Sequence, residues 1–323
     1  MIELRRAVVV LFAVVGMSVV APAAAVGPSR AGCAWLPELL SLPANTVDGQ
    51  VTGGDGAWLA GVAYDPDEGL LWRDGRLVMH GSAFELDTRF EAVNASGVAV
   101  GTVTGDDGRL HAIRFSGRFS GRFEYLPETA GRSLALDVNG RGEAVGYDGV
   151  ALVVWSAGGT ARVLAMPPGA GPFGRPAIDE DGTVVARTGI LDGAVMRWQT
   201  YAWTPSGVRV PVAVGDVREV RDGWAVGAFG EPGQVAAGWG VEDGRVRVYA
   251  GGVSAVAVNR AGVAVGAGAN GEPLLWSGTT PVSLPAPPGY FPGSVTAVND
   301  HDAGGFVSPL DDEGTVPVRW SCR

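Results

Sequence analysis

The chain has 323 residues, with 34 acidic side chains against 24 basic ones and a formal net charge of −10. Every basic residue other than histidine is arginine, and the acidic balance excludes a protein that holds nucleic acid chiefly through phosphates. Fifty-one glycines and 21 prolines punctuate the chain too often for long helices.

The N-terminus reads as an export signal. Arg5 and Arg6 precede an apolar run from Ala7 to Val20, and Ala23-Ala24-Ala25 supplies small residues for cleavage after Ala25. The same run as an uncleaved anchor is the alternative. Residues 26–34 form a short lead-in containing Cys33, and residues 35–323 form a single domain. Ala31-Gly32-Cys33 resembles the end of a lipoprotein box, but Arg30 and the distance from the apolar run argue against lipidation. The mature protein is therefore expected outside the cell or at its surface, with no stable membrane insertion. Cys33 and Cys322 are the only cysteines. An even count in an exported chain favours a disulfide, and two cysteines cannot form a structural zinc site.

From residue 44 onward one phrase recurs: a small or apolar residue, Val or Ile, then Asn or Asp, a Gly about three residues on, and a β-branched run ending in Gly. The central residues Asn94, Asn139, Asp179, Arg221, Asn259 and Asn299 are spaced by 45, 40, 42, 38 and 40 residues. Glu219-Val220-Arg221 is a degenerate copy. An irregular first copy starts at Asp55-Gly56 and resembles the segment from Asp222 to Gly227. Asn or Asp folds onto the backbone two residues on, and the following Gly takes positive φ. Each copy then places an aromatic at the end of a second apolar run: Trp72, Phe115, Trp155, Trp203, Trp239, Trp276 and Trp320. A turn and a further short strand follow.

Four short strands per unit of about forty residues define the period of a β-propeller. We therefore expect an all-β, seven-bladed propeller of four-stranded blades; the irregular first copy leaves six blades as the alternative count. The last copy stops just after Trp320 and lacks its fourth strand. Residues 35–43, Trp-Leu-Pro-Glu-Leu-Leu-Ser-Leu-Pro, resemble that missing strand and are expected to complete the last blade. Closure would hide both sheet edges and bring Cys33 beside Cys322.

The phrase Ala-x-Asn-x-x-Gly-x-Val-Gly, with His111-Ala112-Ile113 before Phe115, resembles the bacterial extracellular HAF repeat. The resemblance spans nearly all of residues 44–323. It implies an extracellular propeller-like fold and no particular activity. The His survives in one copy; the others read Leu70-Leu71-Trp72, Val153-Val154-Trp155 or Leu274-Leu275-Trp276.

No residue pattern announces chemistry. His80, His111 and His301 fall at non-equivalent places, and no nucleophile elbow, zincin motif or phosphate loop occurs. The acidic turns, such as Asp65-Pro66-Asp67-Glu68-Gly69, lack the alternation of a calcium loop and suit ordinary hairpins. No cofactor and no metal site is implied. A circle of the repeated Asn residues at one channel mouth is better read as Asx turns than as ligands. The candidate recognition residues lie on the two long connections: Phe173 and Arg175 between Ala165 and Pro176, and Tyr290 and Phe291 between Leu284 and Gly293. These readings favour a monomeric, non-catalytic scaffold recognising a protein or a glycan. The alternative is an extracellular lyase or glycan hydrolase with its site at the channel mouth.

Overall fold

The computed structural model describes residues 34–81, 87–116, 123–192, 195–213, 215–230, 234–311 and 313–323. The export segment, its cleavage point and Cys33 lie outside them. The described residues form 28 strands in seven four-stranded antiparallel sheets. The chain is a seven-bladed β-propeller. Blades 1 to 6 span residues 49–80, 88–125, 133–163, 170–213, 215–248 and 252–283. Blade 7 combines residues 290–322 with the N-terminal strand Trp35–Leu39.

That N-terminal strand pairs antiparallel with Val316–Cys322, Trp35 opposite Cys322 and Leu39 opposite Val318. Ala34 and Arg323 exchange both backbone hydrogen bonds at 3.1 Å. The ring thus closes with the first described strand beside the last, as the unfinished seventh copy predicts.

Apolar residues cluster between blades, one cluster at each of the seven junctions. Six of the seven recurring aromatics are tryptophans, each at most 1 % exposed. Five donate their indole N–H to a carbonyl of the preceding linker: Trp72 to Ser41 (2.9 Å), Trp155 to Pro127 (2.7 Å), Trp203 to Ala165 (3.0 Å), Trp276 to Ala250 (3.0 Å) and Trp320 to Pro285 (2.7 Å). A large ring fills each junction, and in these five its one polar atom fixes the linker that enters it.

Within a blade the first strand lies innermost and the chain runs outward. Alternation places the turns after the first and third strands on one face, called here the turn face. The hairpins between second and third strands share the opposite, linker face with the blade-to-blade connections.

Every inner strand carries a register shift near its middle. It leaves Thr52, Glu91, Leu136, Arg218, Val256 and Thr296 unpaired, and in blade 4 residues 174–176. Such bulges bend a strand and re-aim side chains. They also explain the glycine that ends the β-branched run in six of the seven blades; blade 4 alone has Ala186 there. A Cβ on Gly101 would lie 1.8 Å from the Arg89 carbonyl oxygen, and one on Gly146 1.8 Å from that of Leu134.

Two expectations need correction. The first repeat is shifted by one residue: Asp55 faces Trp58 as Arg221 faces Trp224, so Asp55 is level with Arg221 and not with Asp222. The long connections are also shorter than read. Strands begin at Ala170 and Tyr290, because Ala170 pairs with Ile190 and Tyr290 with Pro309. Phe173, Arg175, Tyr290 and Phe291 therefore sit on inner strands and not on loops.

Candidate functional site: the central cavity

The seven inner strands enclose a cavity of about 440 Å³ on the propeller axis. The shifted segments point into it: Thr52, Glu91, Arg175, Arg218, Val256 and Thr296 all line the wall. Gly271, Pro273 and Phe306 continue the lining toward the linker face.

Three charged residues cross its floor. Arg221 of blade 5 is 4 % exposed. It donates to Glu219 Oε1 at 2.9 Å and reaches Asp137 Oδ1 of blade 3 at 3.4 Å. It also donates to the carbonyls of Ile178 (3.2 Å) and Val220 (3.1 Å). Asp137 Oδ2 in turn accepts the Ile178 N–H at 2.8 Å. Burial pushes the Glu219 carboxyl up to about 7; Arg221 works against that rise and Asp137 adds to it. On the wall, Arg175 of blade 4 donates to Glu91 Oε2 of blade 2 at 2.8 Å and to the carbonyls of Glu91 (2.7 Å) and Leu136 (2.6 Å). Arg218 pairs with Asp216 at 2.5 Å. Each acid here has a guanidinium beside it.

Below the floor lies the circle expected from the repeat, Asn94, Asn139, Asp179, Asn259 and Asn299, which Asp55 and Arg221 complete; none of the seven is more than 8 % exposed. The Asn94 side-chain oxygen accepts the N–H groups of Ser96 and Val98 at 3.0 Å, an Asx turn, while its amide donates to the Asn139 carbonyl of the next blade at 2.8 Å. Asn139 reaches Asp179 and Asn259 reaches Asn299 in the same way. These side chains are consumed by turns and blade-to-blade ties. Beneath them Arg260 of blade 6 spans the axis to Glu180 of blade 4 (2.7 Å) and Asp55 of blade 1 (3.0 Å). The turn face is therefore crossed by ion pairs, and the cavity is a blind pocket facing the linker side.

Of the four sequence candidates, Arg175 alone lines the cavity. Phe173 stands on the linker side of blade 4, 48 % exposed. Phe291 is 55 % exposed on blade 7, where Tyr290 packs against the junction of blades 6 and 7. Phe173 and the Tyr290–Phe291 pair thus belong to different blades and do not form one site. Asp137, Glu219 and Arg221 were missed, yet the repeat carries the signal. Blades 2, 4, 6 and 7 place Ala92, Ala177, Ala257 and Ala297 where Asp137 and Glu219 stand. Arg221 replaces the recurring Asn. These departures from one phrase meet across the axis.

A second polar cluster lies on blade 2. His111 Nδ1 contacts Glu128 Oε1 at 2.9 Å and Nε2 contacts Asp107 Oδ1 at 3.0 Å. The hydrogen bond to Asp107 raises the imidazole's pKa, burial opposes it, and Glu128 raises it further. Among the described residues no group of three or more His, Cys, Asp or Glu is arranged to hold a metal.

No family model matches the sequence, and no curated protein matches it. Solved structures share the fold. A streptogramin B lyase superposes with a TM-score of 0.55 at 13% identity, covering 90% of this chain and 98% of the other. Virginiamycin B lyase from Staphylococcus aureus gives 0.52 at 10% identity, covering 89% and 99%. The β-propeller domain of the trilobed protease from Pyrococcus furiosus gives 0.52 at 10% identity, covering 85% and 96%. At such identities the likeness is one of fold.

Proposed function

We propose that this chain is an exported, non-catalytic recognition propeller whose blind central cavity receives a small polar group of a glycan or protein. One observation carries the reading. The cavity is lined by polar side chains re-aimed by bulges, and its acids are matched by arginines, which favours hydrogen-bonded recognition over proton transfer. The HAF-like repeat phrase, structural in every copy, supports an extracellular setting.

The second reading is a lyase or glycan hydrolase acting at the channel mouth. Glu219 favours it, because a carboxyl pushed up to about 7 is poised for general acid–base work. The lyases that share the fold add only that such a ring can house chemistry. None of the three histidines lines this cavity.

The test is a thermal-shift and calorimetric screen of residues 26–323 against sugars, amino acids and short peptides. A ligand should raise Tm and leave the assay unaltered by mass spectrometry. Val256→Phe, which fills the cavity, should abolish its binding. Ligand turnover that disappears in Glu219→Gln, with Tm retained, would establish the enzymatic reading instead.

A further inference from the structure

Blade 4 stands taller than the rest on the linker face. Its second and third strands, Val184–Asp192 and Val195–Trp203, run nine residues each, and the inner strand Ala170–Ile178 extends beside them. Register places Phe173 opposite Arg187 and Gly189 opposite Trp198. Side chains alternate along strands, so Phe173, Arg187, Leu191, Met196 and Trp198 share one face, the same face that buries Val185 and Ala202 against blade 5. Phe173 and Trp198 have ring centroids 4.3 Å apart. The Arg187 guanidinium lies 4.5 Å from the Trp198 ring centroid and 5.6 Å from that of Phe173. Gly189 is the seat for the indole: a Cβ there would meet Trp198 at 2.8 Å. Phe173, Leu191 and Met196 are nonetheless 48 %, 64 % and 45 % exposed.

This strip joins the cavity. Arg187 faces Asp216 at 3.7 Å, Asp216 pairs with Arg218 at 2.5 Å, and Arg218 lines the cavity wall. Two guanidinium groups thus share one carboxylate, and the Arg187 Nε–H is buried without a hydrogen-bond acceptor. An exposed ring suits the C–H face of a pyranose, and two guanidinium groups that share one carboxylate leave positive charge to suit a second.

We propose that the tall hairpin of blade 4 is a subsite for an acidic glycan, a chain of uronate sugars that stacks on Phe173, places a carboxylate at Arg187 and Arg218, and sends its end into the cavity. The proposal rests on the cavity reading above for its chain terminus only. The probe is a tetra- to hexasaccharide of galacturonate, with the monosaccharide and the methyl-esterified oligosaccharide as controls, followed by calorimetry and tryptophan fluorescence. The oligosaccharide should bind more tightly than the monosaccharide and than the uncharged ester, and its affinity should fall with added salt. Phe173→Ala should weaken it at least about fivefold and Arg187→Gln at least about tenfold, with the monosaccharide unaffected by Phe173→Ala.

Retention of the full chain-length gain in both variants would overturn the subsite while leaving the cavity reading intact. Binding that survives Val256→Phe but vanishes in Phe173→Ala would uphold the subsite and overturn the cavity reading. Equal affinity for acid and ester, or no binding of the galacturonate chain, would refute the proposal.

Discussion

Replacing Arg221 by Asn restores the residue that blades 2, 3, 6 and 7 carry at this position, yet it should be severely destabilising. Arg221 supplies the guanidinium beside Asp137 and Glu219 and hydrogen bonds to two further carbonyls. Asn can neither reach Asp137 across the axis nor offer Glu219 a positive charge, so two carboxylates would face each other on the cavity floor. Breaking a buried ion pair on one side costs about 3–5 kcal/mol. The penalty should appear in urea denaturation of Arg221→Asn at neutral pH and shrink on acidification, as the stranded acids take up protons. The triple variant Asp137→Ala, Glu219→Ala, Arg221→Asn writes the common phrase into both blades. It removes the buried charges together, so it should recover wild-type stability or exceed it by about 1–4 kcal/mol. It should also lose any ligand that the cavity holds. A single variant that loses less than about 1 kcal/mol, or a triple variant weaker than the single one, would refute the idea that the network is stability given up for a site.

Other expectations follow from the same geometry. The folded-state pKa of Glu219 is raised from 4.5 to about 7, so the folded state holds its proton more tightly than the unfolded chain, and stability should decline as pH rises across that window. Glu219→Gln should flatten this slope in pH-dependent denaturation curves. For His111 the folded pKa is raised above 6.5. Its contribution should be complete below 6.5 and lost as pH climbs through the folded value, and His111→Gln should remove that loss. Gly101→Ala should cost more than 3 kcal/mol or prevent folding, since its Cβ would lie 1.8 Å from a backbone oxygen that the bulge holds in place. Equal expression and Tm for this variant would contradict the bulge account. We also expect a Cys33–Cys322 bridge, to be read as a mass gain on reduction. Closing a loop of that length contributes at most about 5–6 kcal/mol by chain entropy, so Cys33→Ser should lower the denaturation midpoint in the absence of reductant and change nothing in its presence.

The repeated phrase determined the architecture by itself. Val and Ala runs interrupted at a fixed period by Asn-x-x-Gly leave few ways to bury seven tryptophan or phenylalanine rings, and a closed ring satisfies every copy alike. The unfinished seventh repeat even foretold the pairing of Trp35–Leu39 with Val316–Cys322. Turn chemistry is local, so the Asx turns at Asn94, Asn139, Asn259 and Asn299 are legible in the sequence. The second half of each Asn's role, its bond to the next blade, is not local and was invisible. The same holds for the cavity. Glu219 and Arg221 looked like a degenerate copy because their partner Asp137 lies two blades away, where 84 residues of chain separate Arg221 from it. Phe173 was legible as an exposed aromatic, but its place on a strand beside Trp198, Arg187 and Gly189 depends on register. Sequence fixes what each repeat needs locally; which departures from the repeat meet one another is decided by ring closure, which sets residues from non-adjacent blades within hydrogen-bond reach around a common axis.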